Sequence, residues 1–494
     1  MTLPRLRGRT RRGEDQTKRG RGRGCVAGAI DVAFLSLPGY AGMDELGCAV
    51  TDPFTPHILF GLDPMWVSAA VLALTYALII SGRLNRAVVA LIGACVIIII
   101  GALDQNEAIA GINWNTIGLL TGMMILVSIS RRSGLYQYLA IWSAQKANAS
   151  PAGILLMLQL TAALVSALLN NVSTVLLVAP VTLAIAEELE VSPFPFLFAE
   201  VFACNIGGTA TLIGDPPNIL IGSSAGLDFN AFLVNLAPVI VLVMAAQLLM
   251  VHLIWGRALR ATPESRALVM GMNAPGMITD RVLLGQAAFV MGAVLVAFVV
   301  ARPLHLEPAT IALAGAAVLM LLDNWKHRNA KQSENVRRTF ADVEWITIFF
   351  FIALFVVVHA VEVGGLLGLL AGKLTALTGD NVASAGAAIL WMSAALSAIL
   401  DNIPFVATMI PLIKNTAPAY GGPNQIEPLW WCLALGACLG GNGTLIGSAA
   451  NLTVVGIAER NGIRFAFVQY LAYGLPMMIV SIAICHLYVW LRYF

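Results

Sequence analysis

Charge is scarce in this sequence. Aspartate, glutamate, lysine and arginine make up 11% of 494 residues, against 59% hydrophobic residues and a mean hydropathy of +0.82. A water-soluble domain carries about 25% charged and about 45–50% apolar residues, so the solvent of this chain is a lipid bilayer. A net charge of only +2 gives no basic excess for nucleic acid, which is excluded as a partner. Cys25, Cys48, Cys95, Cys204, Cys432, Cys438 and Cys485 form no CxxC pair, and the six histidines form no HExxH. Neither a metal centre nor a zinc-dependent membrane protease is indicated, and isolated cysteines are expected to pack as small apolar side chains. The run GNGTLIG (441–447) lacks the GK[ST] ending of a phosphate loop. No cofactor is implied, and energy must come from an ion gradient unless a separate ATPase subunit docks.

What is present in quantity is apolar helix. A bilayer crossing takes about 20 mainly apolar residues, and windows near 64–81, 87–103, 114–130, 229–255, 282–301, 308–323, 344–361 and 465–491 supply them. Segments 152–187 and 383–415 read as too short for two full spans each and carry polar pairs at their centres, which predicts re-entrant hairpins. Segments 195–225 and 429–458 are interrupted by Gly-rich polar runs, which predicts helices unwound at mid-membrane. Residues 1–60 are set apart: nine Arg and Lys fall in the first 24, and acidic residues break the weakly apolar stretch after them. This tail is expected to be disordered, and translation starting at Met43 or Met65 would explain it.

The two halves of the remainder match. Trp114–Asn115–Thr116–Ile117 aligns with Trp345–Ile346–Thr347–Ile348 at an offset of 231 residues, which also carries Gly134–Leu135 onto Gly365–Leu366, Asn171 onto Asn402 and Pro180 onto Pro411. At an offset of 233, Thr211–Leu212–Ile213–Gly214 falls on Thr444–Leu445–Ile446–Gly447, and Asn218 on Asn451. Lys and Arg concentrate in cytoplasmic loops. Arg83 and Arg86, then Arg131 and Arg132, then Arg257, Arg260 and Arg266, then Lys326 to Arg338 therefore mark the inside, whereas Arg302, Lys373, Lys414 and Arg492 run against the trend. On that path Trp114 enters from outside and Trp345 from inside. The expected fold is an all-α polytopic membrane protein of two inverted repeats, 61–281 and 282–494, with about ten spans, two re-entrant hairpins, two broken helices and both termini outside.

Four polar clusters then share the midplane. The hairpin tips hold Asn170, Asn171, Ser173 and Thr174, and Asp401 and Asn402; the breaks read NIGGTATLIGDPPN (205–218) and GGNGTLIGSAAN (440–451). Non-helical backbone at that depth is tolerated only around a cavity or inside protein, and paired breaks are the best sequence pointer to a transporter's site. Candidate binding residues in the breaks are Asn205, Gly207, Gly208, Thr209, Asp215, Asn218, Gly441, Asn442, Thr444 and Asn451, the glycines (with Gly440 and Gly443) read as letting backbone approach a ligand. An ionised carboxylate at mid-membrane costs roughly 2.5–3.5 kcal/mol. Asp215 and Asp401, whose counterparts are Ser448 and Asn170, therefore suit binding and release of H⁺ or Na⁺, or else cap their half-helices. Glu200 is a third buried acid, either a coupling group or a structural hydrogen-bond acceptor.

The run Asn170 to Asp228, NNVSTVLLVAPVTLAI…AEVFACNIGGTATLIGDPPNILIGSSAGLD, resembles the branch of the ion transporter superfamily that holds arsenite permeases and melanosomal P-protein-like members, with a citrate transporter-like domain. The similarity spans 64–494 and is strongest at NN, GDPPN, DN and the second break. It implies a scaffold and a moving transport domain, often as a homodimer, with tips and breaks forming the site. The Ser-Asn-Thr signatures of sodium–dicarboxylate carriers are not reproduced, since the tips read NNVST and DNIPF, which lowers citrate or succinate as substrate. The expectation is a gradient-driven secondary transporter in the plasma (inner) membrane, exporting arsenite or a similar small inorganic ion by elevator-like alternation; the alternative is Na⁺/H⁺ antiport. A channel would need a continuous polar lining. An intramembrane aspartyl protease would need Gly where Leu212 stands and a Tyr-Asp pair that the sequence lacks, so the chain is not expected to be an enzyme.

Overall fold

Short polar side chains and prolines set the helix starts. The computed structural model describes residues 56, 58, 61–81, 83–325, 329–379 and 381–494; the expectations for the tail, Pro56 and Ile58 aside, lie outside the described residues. Helices α1 (Pro64–Ile80), α2 (Arg86–Ile100), α3 (Gln105–Ala110) and α4 (Trp114–Arg131) begin on Asp63, Asn85, Asp104 and Asn113, each of which accepts a backbone N–H of the first turn. Such a cap satisfies a donor that the helix leaves free and contributes about 1 kcal/mol. Gly134, at φ 81°, then turns the chain into α5 (Leu135–Lys146), and an added Cβ there would strike the Met277 carbonyl. Helices α6 (Pro151–Leu168) and α7 (Asn171–Glu188) form a hairpin. Residues 210–215 separate α8 (Phe194–Thr209) from α9 (Pro216–Ala225), and α10 (Phe229–Trp255), α11 (Pro263–Gly271) and α12 (Arg281–Val299) follow.

The second half has its helices in a similar order. It runs α13 (Pro308–Asn324), α14 (Asn329–Ala341), α15 (Trp345–Val363), a turn at Gly365 with φ 88°, and α16 (Leu366–Thr378). A second hairpin, α17 (Val382–Ile399) and α18 (Asn402–Thr416), precedes α19 (Glu427–Gly440), a 3-10 turn at Gly441–Gly443, α20 (Ala449–Arg460) and α21 (Phe467–Tyr493). All regular elements among the described residues are helical. The repeated Gly-Leu of the sequence is thus the left-handed corner that starts α5 and α16, a conformation that strains residues with a Cβ.

Pairing follows one scheme twice: α6 lies on α8 and α17 on α19, while α4 lies on α13 and α15 on α2. A Cβ on Gly207 would collide with the backbone of Ala163, and one on Gly440 with that of Ala394, so these glycines set the close approach of each hairpin to its broken helix. At the C-terminal end of α4, Arg131 pairs with Asp342 at 3.4 Å and Arg132 with Asp323 at 2.9 Å. Near the other end, Glu107 meets His359 of α15 at 3.5 Å. Helix α15 therefore starts where α4 ends, and the two Trp-led helices run antiparallel.

Among the described residues, seven helices (α6, α7, α10, α12, α15, α17 and α21) are long and apolar enough to cross a membrane by length and composition. The reading of 152–187 as too short for two spans is corrected by this: α6 and α7 each hold 18 residues, about 27 Å at 1.5 Å per residue. What distinguishes the hairpins is that their tips end against the helix breaks. Phe289, Val241 and Leu253 stand exposed on α12 and α10, as lipid-facing side chains do.

Candidate functional site

Four helix N-termini converge at the centre, and their N-cap residues are Asn170, Asp215, Asp401 and Ser448. The two neutral residues cap: Asn170 Oδ1 accepts from Ser173 N at 2.7 Å, and Ser448 Oγ from Ala450 N at 3.3 Å. The two acids make no cap hydrogen bond. Asp215 is 2% exposed; Cys438, Asn171 and Asn402 come within hydrogen-bonding reach of its carboxyl group, but Oδ2 has no hydrogen-bond partner of good geometry. Asp401 gives one oxygen to an ion pair with Arg86, and its Oδ1 is buried without a protein partner. The reading of these acids as helix caps is therefore excluded in this structure.

Asparagines hold the four segments together. Asn171 Nδ2 donates to Asn205 Oδ1 at 3.0 Å, and Ser166 Oγ donates to Asn171 Oδ1 at 2.8 Å. Asn205 Nδ2 donates to Asn442 Oδ1 at 2.7 Å and Asn451 Oδ1 at 3.1 Å, while its Oδ1 also accepts from Ser448 Oγ at 3.3 Å. One side chain thus joins a tip of the first half to the break of the second. Asn218 donates to the carbonyls of Thr209 and Thr211, and Asn451 to those of Gly441 and Thr444, at 2.8–3.1 Å. These amides satisfy unwound carbonyls that would otherwise lie unpaired in a low-dielectric interior. Thr211 Oγ1 donates to the Ala167 carbonyl and Thr444 Oγ1 to the Ala398 carbonyl, tying each break to its hairpin.

Several expected site residues make contacts within the protein. Asn205, Gly207, Gly208 and Thr209 are helical, so the first break is 210–215 rather than 205–218. A Cβ on Gly208 would meet Asn171 Oδ1, and one on Gly441 the Gly447 carbonyl, so here backbone approaches protein rather than a ligand. Thr174 Oγ1 and Thr209 Oγ1 donate to the carbonyls of Asn170 and Asn205. Glu200 Oε2 accepts from Thr182 at 2.6 Å; the structural reading fits it, and it does not line the central cavity. Cys204 and Cys438 have separate partners, the Ala162 carbonyl and Asn218 Oδ1. Cys432 and Cys485 are buried as expected, but Cys95 is exposed; Cys25 and Cys48 lie outside the described residues.

A cavity of about 30 Å³ lies between the tips, lined by Asn170, Asn171, Asp215, Asn402, Ser448 and also Arg86 and Glu344. It has room for one or two water-sized species. Glu344 and Met124 also line an adjoining cavity of about 90 Å³ that reaches Ser173, Ser128, Arg131 and Asp342. The site thus continues toward the end of the molecule where α4 stops and α15 begins. Sequence reading missed two of these residues: Arg86 served only as a topological marker and Glu344 went unread. Neither is near a tip in the chain, and no spacing signals them.

Residues 76–436 match a family model described as CitMHS, citrate transporter. The chain belongs to this transporter family. An uncharacterized transporter of Mycobacterium bovis is 41% identical over 432 residues, 87% of this chain and 98% of the relative. The human P protein is 33% identical over 509 residues, 86% of this chain but 59% of its own length. Two solved structures share the fold: the YdaH transporter of Alcanivorax borkumensis (TM-score 0.53, 13% identity, 87% of this chain and 98% of that one) and MtrF of Neisseria gonorrhoeae (TM-score 0.56, 12% identity, 88% and 96%). This family member is an integral, multi-pass membrane transporter.

Proposed function

We propose that this transporter is a gradient-driven antiporter whose central site binds a small cation, H⁺ or Na⁺, through Asp215 and Asp401. The observation that carries the reading is that both acids occupy N-cap positions without making a cap hydrogen bond, which leaves one buried oxygen on each, Asp215 Oδ2 and Asp401 Oδ1, without a protein partner, and Asp215 lines a cavity of ion size. Buried carboxylates without partners are costly, and a bound cation repays that cost. Two carboxylates, Asp215 and Glu344, line the cavity with one guanidinium, Arg86, whose ion-pair partner Asp401 adds a third acid next to it, which favours a cation over a dicarboxylate as the species held there.

The antiparallel course of α4 and α15, and the repeated pairing scheme, support two inverted repeats, 61–281 and 282–494, crossing the membrane about ten times with two re-entrant hairpins. Export of arsenite is the second reading. Arsenous acid is small and uncharged near neutral pH, and the amide of Asn402, which lines the cavity, suits its hydroxyls. The location proposed with either reading is the plasma (inner) membrane. Membership of a transporter family and a cavity too small for a peptide point away from a protease using Asp215 and Asp401.

The test is transport by the purified, full-length protein in liposomes across arsenite, antimonite, Na⁺ and dicarboxylates, each against an imposed proton gradient. Sodium or arsenite flux driven by protons, lost in Asp401→Asn, is the expected result. Dicarboxylate flux with no dependence on either acid overturns the reading.

A further inference from the structure

Helix α2, which carries Arg86 in its first turn, packs on α1 and α15. Asp401 lies at the tip of the α17–α18 hairpin, and the pair is mostly buried, with side-chain exposures of 27% and 14%. The contact is reinforced nearby, where Tyr76 of α1 donates to the Pro404 carbonyl at 2.7 Å and lies 2.6 Å from Thr408 Oγ1. Arg86 also has a second place to rest. Its guanidinium lies 5.2 Å from the Phe350 ring of α15, and its charge reaches Glu344, the residue that precedes α15 and lines the same cavity. One alternative carboxylate therefore belongs to Arg86's own helix group, while its present partner belongs to the hairpin.

We propose that Arg86 is a latch enforcing exchange: in the cation-free site it stands in for the missing ion by pairing with Asp401 and holds the hairpin tip against α2, and an arriving cation displaces it onto Glu344 and frees the tip. The inference rests on the antiport reading above. It adds that the empty site does not travel, so net one-way movement is slow while exchange is fast. It also gives two residues opposite signs. Removing Arg86 removes a competitor for Asp401, and an opposite charge at this range shifts proton affinity by roughly ten- to a thousandfold, so Arg86→Gln is expected to bind the cation at least tenfold more tightly. Glu344→Gln removes the resting place and is expected to bind it more weakly.

The experiment measures equilibrium binding of ²²Na⁺, and of protons by indicator dye, to the purified full-length protein. In liposomes it then compares exchange with net efflux into cation-free buffer. Wild type is expected to exchange much faster than it releases, Arg86→Gln to do both at similar rates, and Arg86→Lys, which keeps the charge, to behave as wild type. If Arg86→Gln binds no more tightly than wild type, or Glu344→Gln binds more tightly, the latch is wrong while the antiport reading stands. If wild type binds neither cation, both fall. If Arg86→Gln does not fold, the sign of the Glu344→Gln effect and the wild-type ratio of exchange to net efflux decide the matter.

Discussion

The two halves of this transporter build the same frame at the centre and put different chemistry on it. In the first half the hairpin tip is neutral and the helix break is acidic, Asn170 and Asp215; in the second the tip is acidic and the break neutral, Asp401 and Ser448. All four are N-caps, yet only the neutral pair caps. Equivalent positions have thus divided the work: Asn170 and Ser448 stabilise helix starts, and Asp215 and Asp401 keep oxygens available. The division is also unequal between the acids, because Asp401 forms an ion pair with Arg86 while Asp215 forms none among the described residues.

The strongest way to break this comparison is to neutralise the acids. Removing one member of a buried charge contact costs about 2–5 kcal/mol, so Asp215→Asn or Asp401→Asn should lower coupled flux in liposomes by about thirtyfold or more. An asparagine can cap the helix that the aspartate leaves uncapped, and it removes a buried charge. Asp215→Asn should therefore keep or raise the melting temperature in detergent. Loss of flux together with loss of folding would assign Asp215 a structural role instead.

Next in size is the hub that joins the halves. Asn205→Ala abolishes four side-chain hydrogen bonds and strands buried partners on Asn171, Asn442, Asn451 and Ser448. A destabilisation of about 3 kcal/mol or more is expected, read as an earlier unfolding midpoint. Gly207→Ala presses a methyl group into the Ala163 backbone and should cost about 1–3 kcal/mol by forcing α6 off α8. The smallest effects belong to the neutral caps. Asn170→Ala and Ser448→Ala should each cost about 1 kcal/mol of stability and leave the coupling of flux to the gradient intact.

Much of this was legible in the sequence because it depends on local chemistry. Polar pairs inside apolar runs located both hairpins, and Pro216–Pro217 fixed the start of α9, since proline supplies no N–H and favours the first helical turn. The bounds of the breaks were harder. Gly207 and Gly208 read as loop residues because glycine weakens isolated helices, but tertiary packing on Ala163 and Asn171 selects them within a helix. Helix length misled in the hairpins, where α6 and α7 are long enough to cross and are distinguished only by where their tips end. Arg86 and Glu344 were illegible for a different reason: they reach the site across 315 residues, in the pairing of Arg86 with Asp401, or from the start of another helix. Only the fold brings such residues together.

The most direct measurement is cation binding to the purified transporter, compared across substitutions at the four converging N-caps. Binding of Na⁺ or H⁺ that disappears in Asp215→Asn and Asp401→Asn, and persists in Asn170→Ala and Ser448→Ala, is what the division of work between halves predicts. Wild-type binding in Asp215→Asn would contradict it.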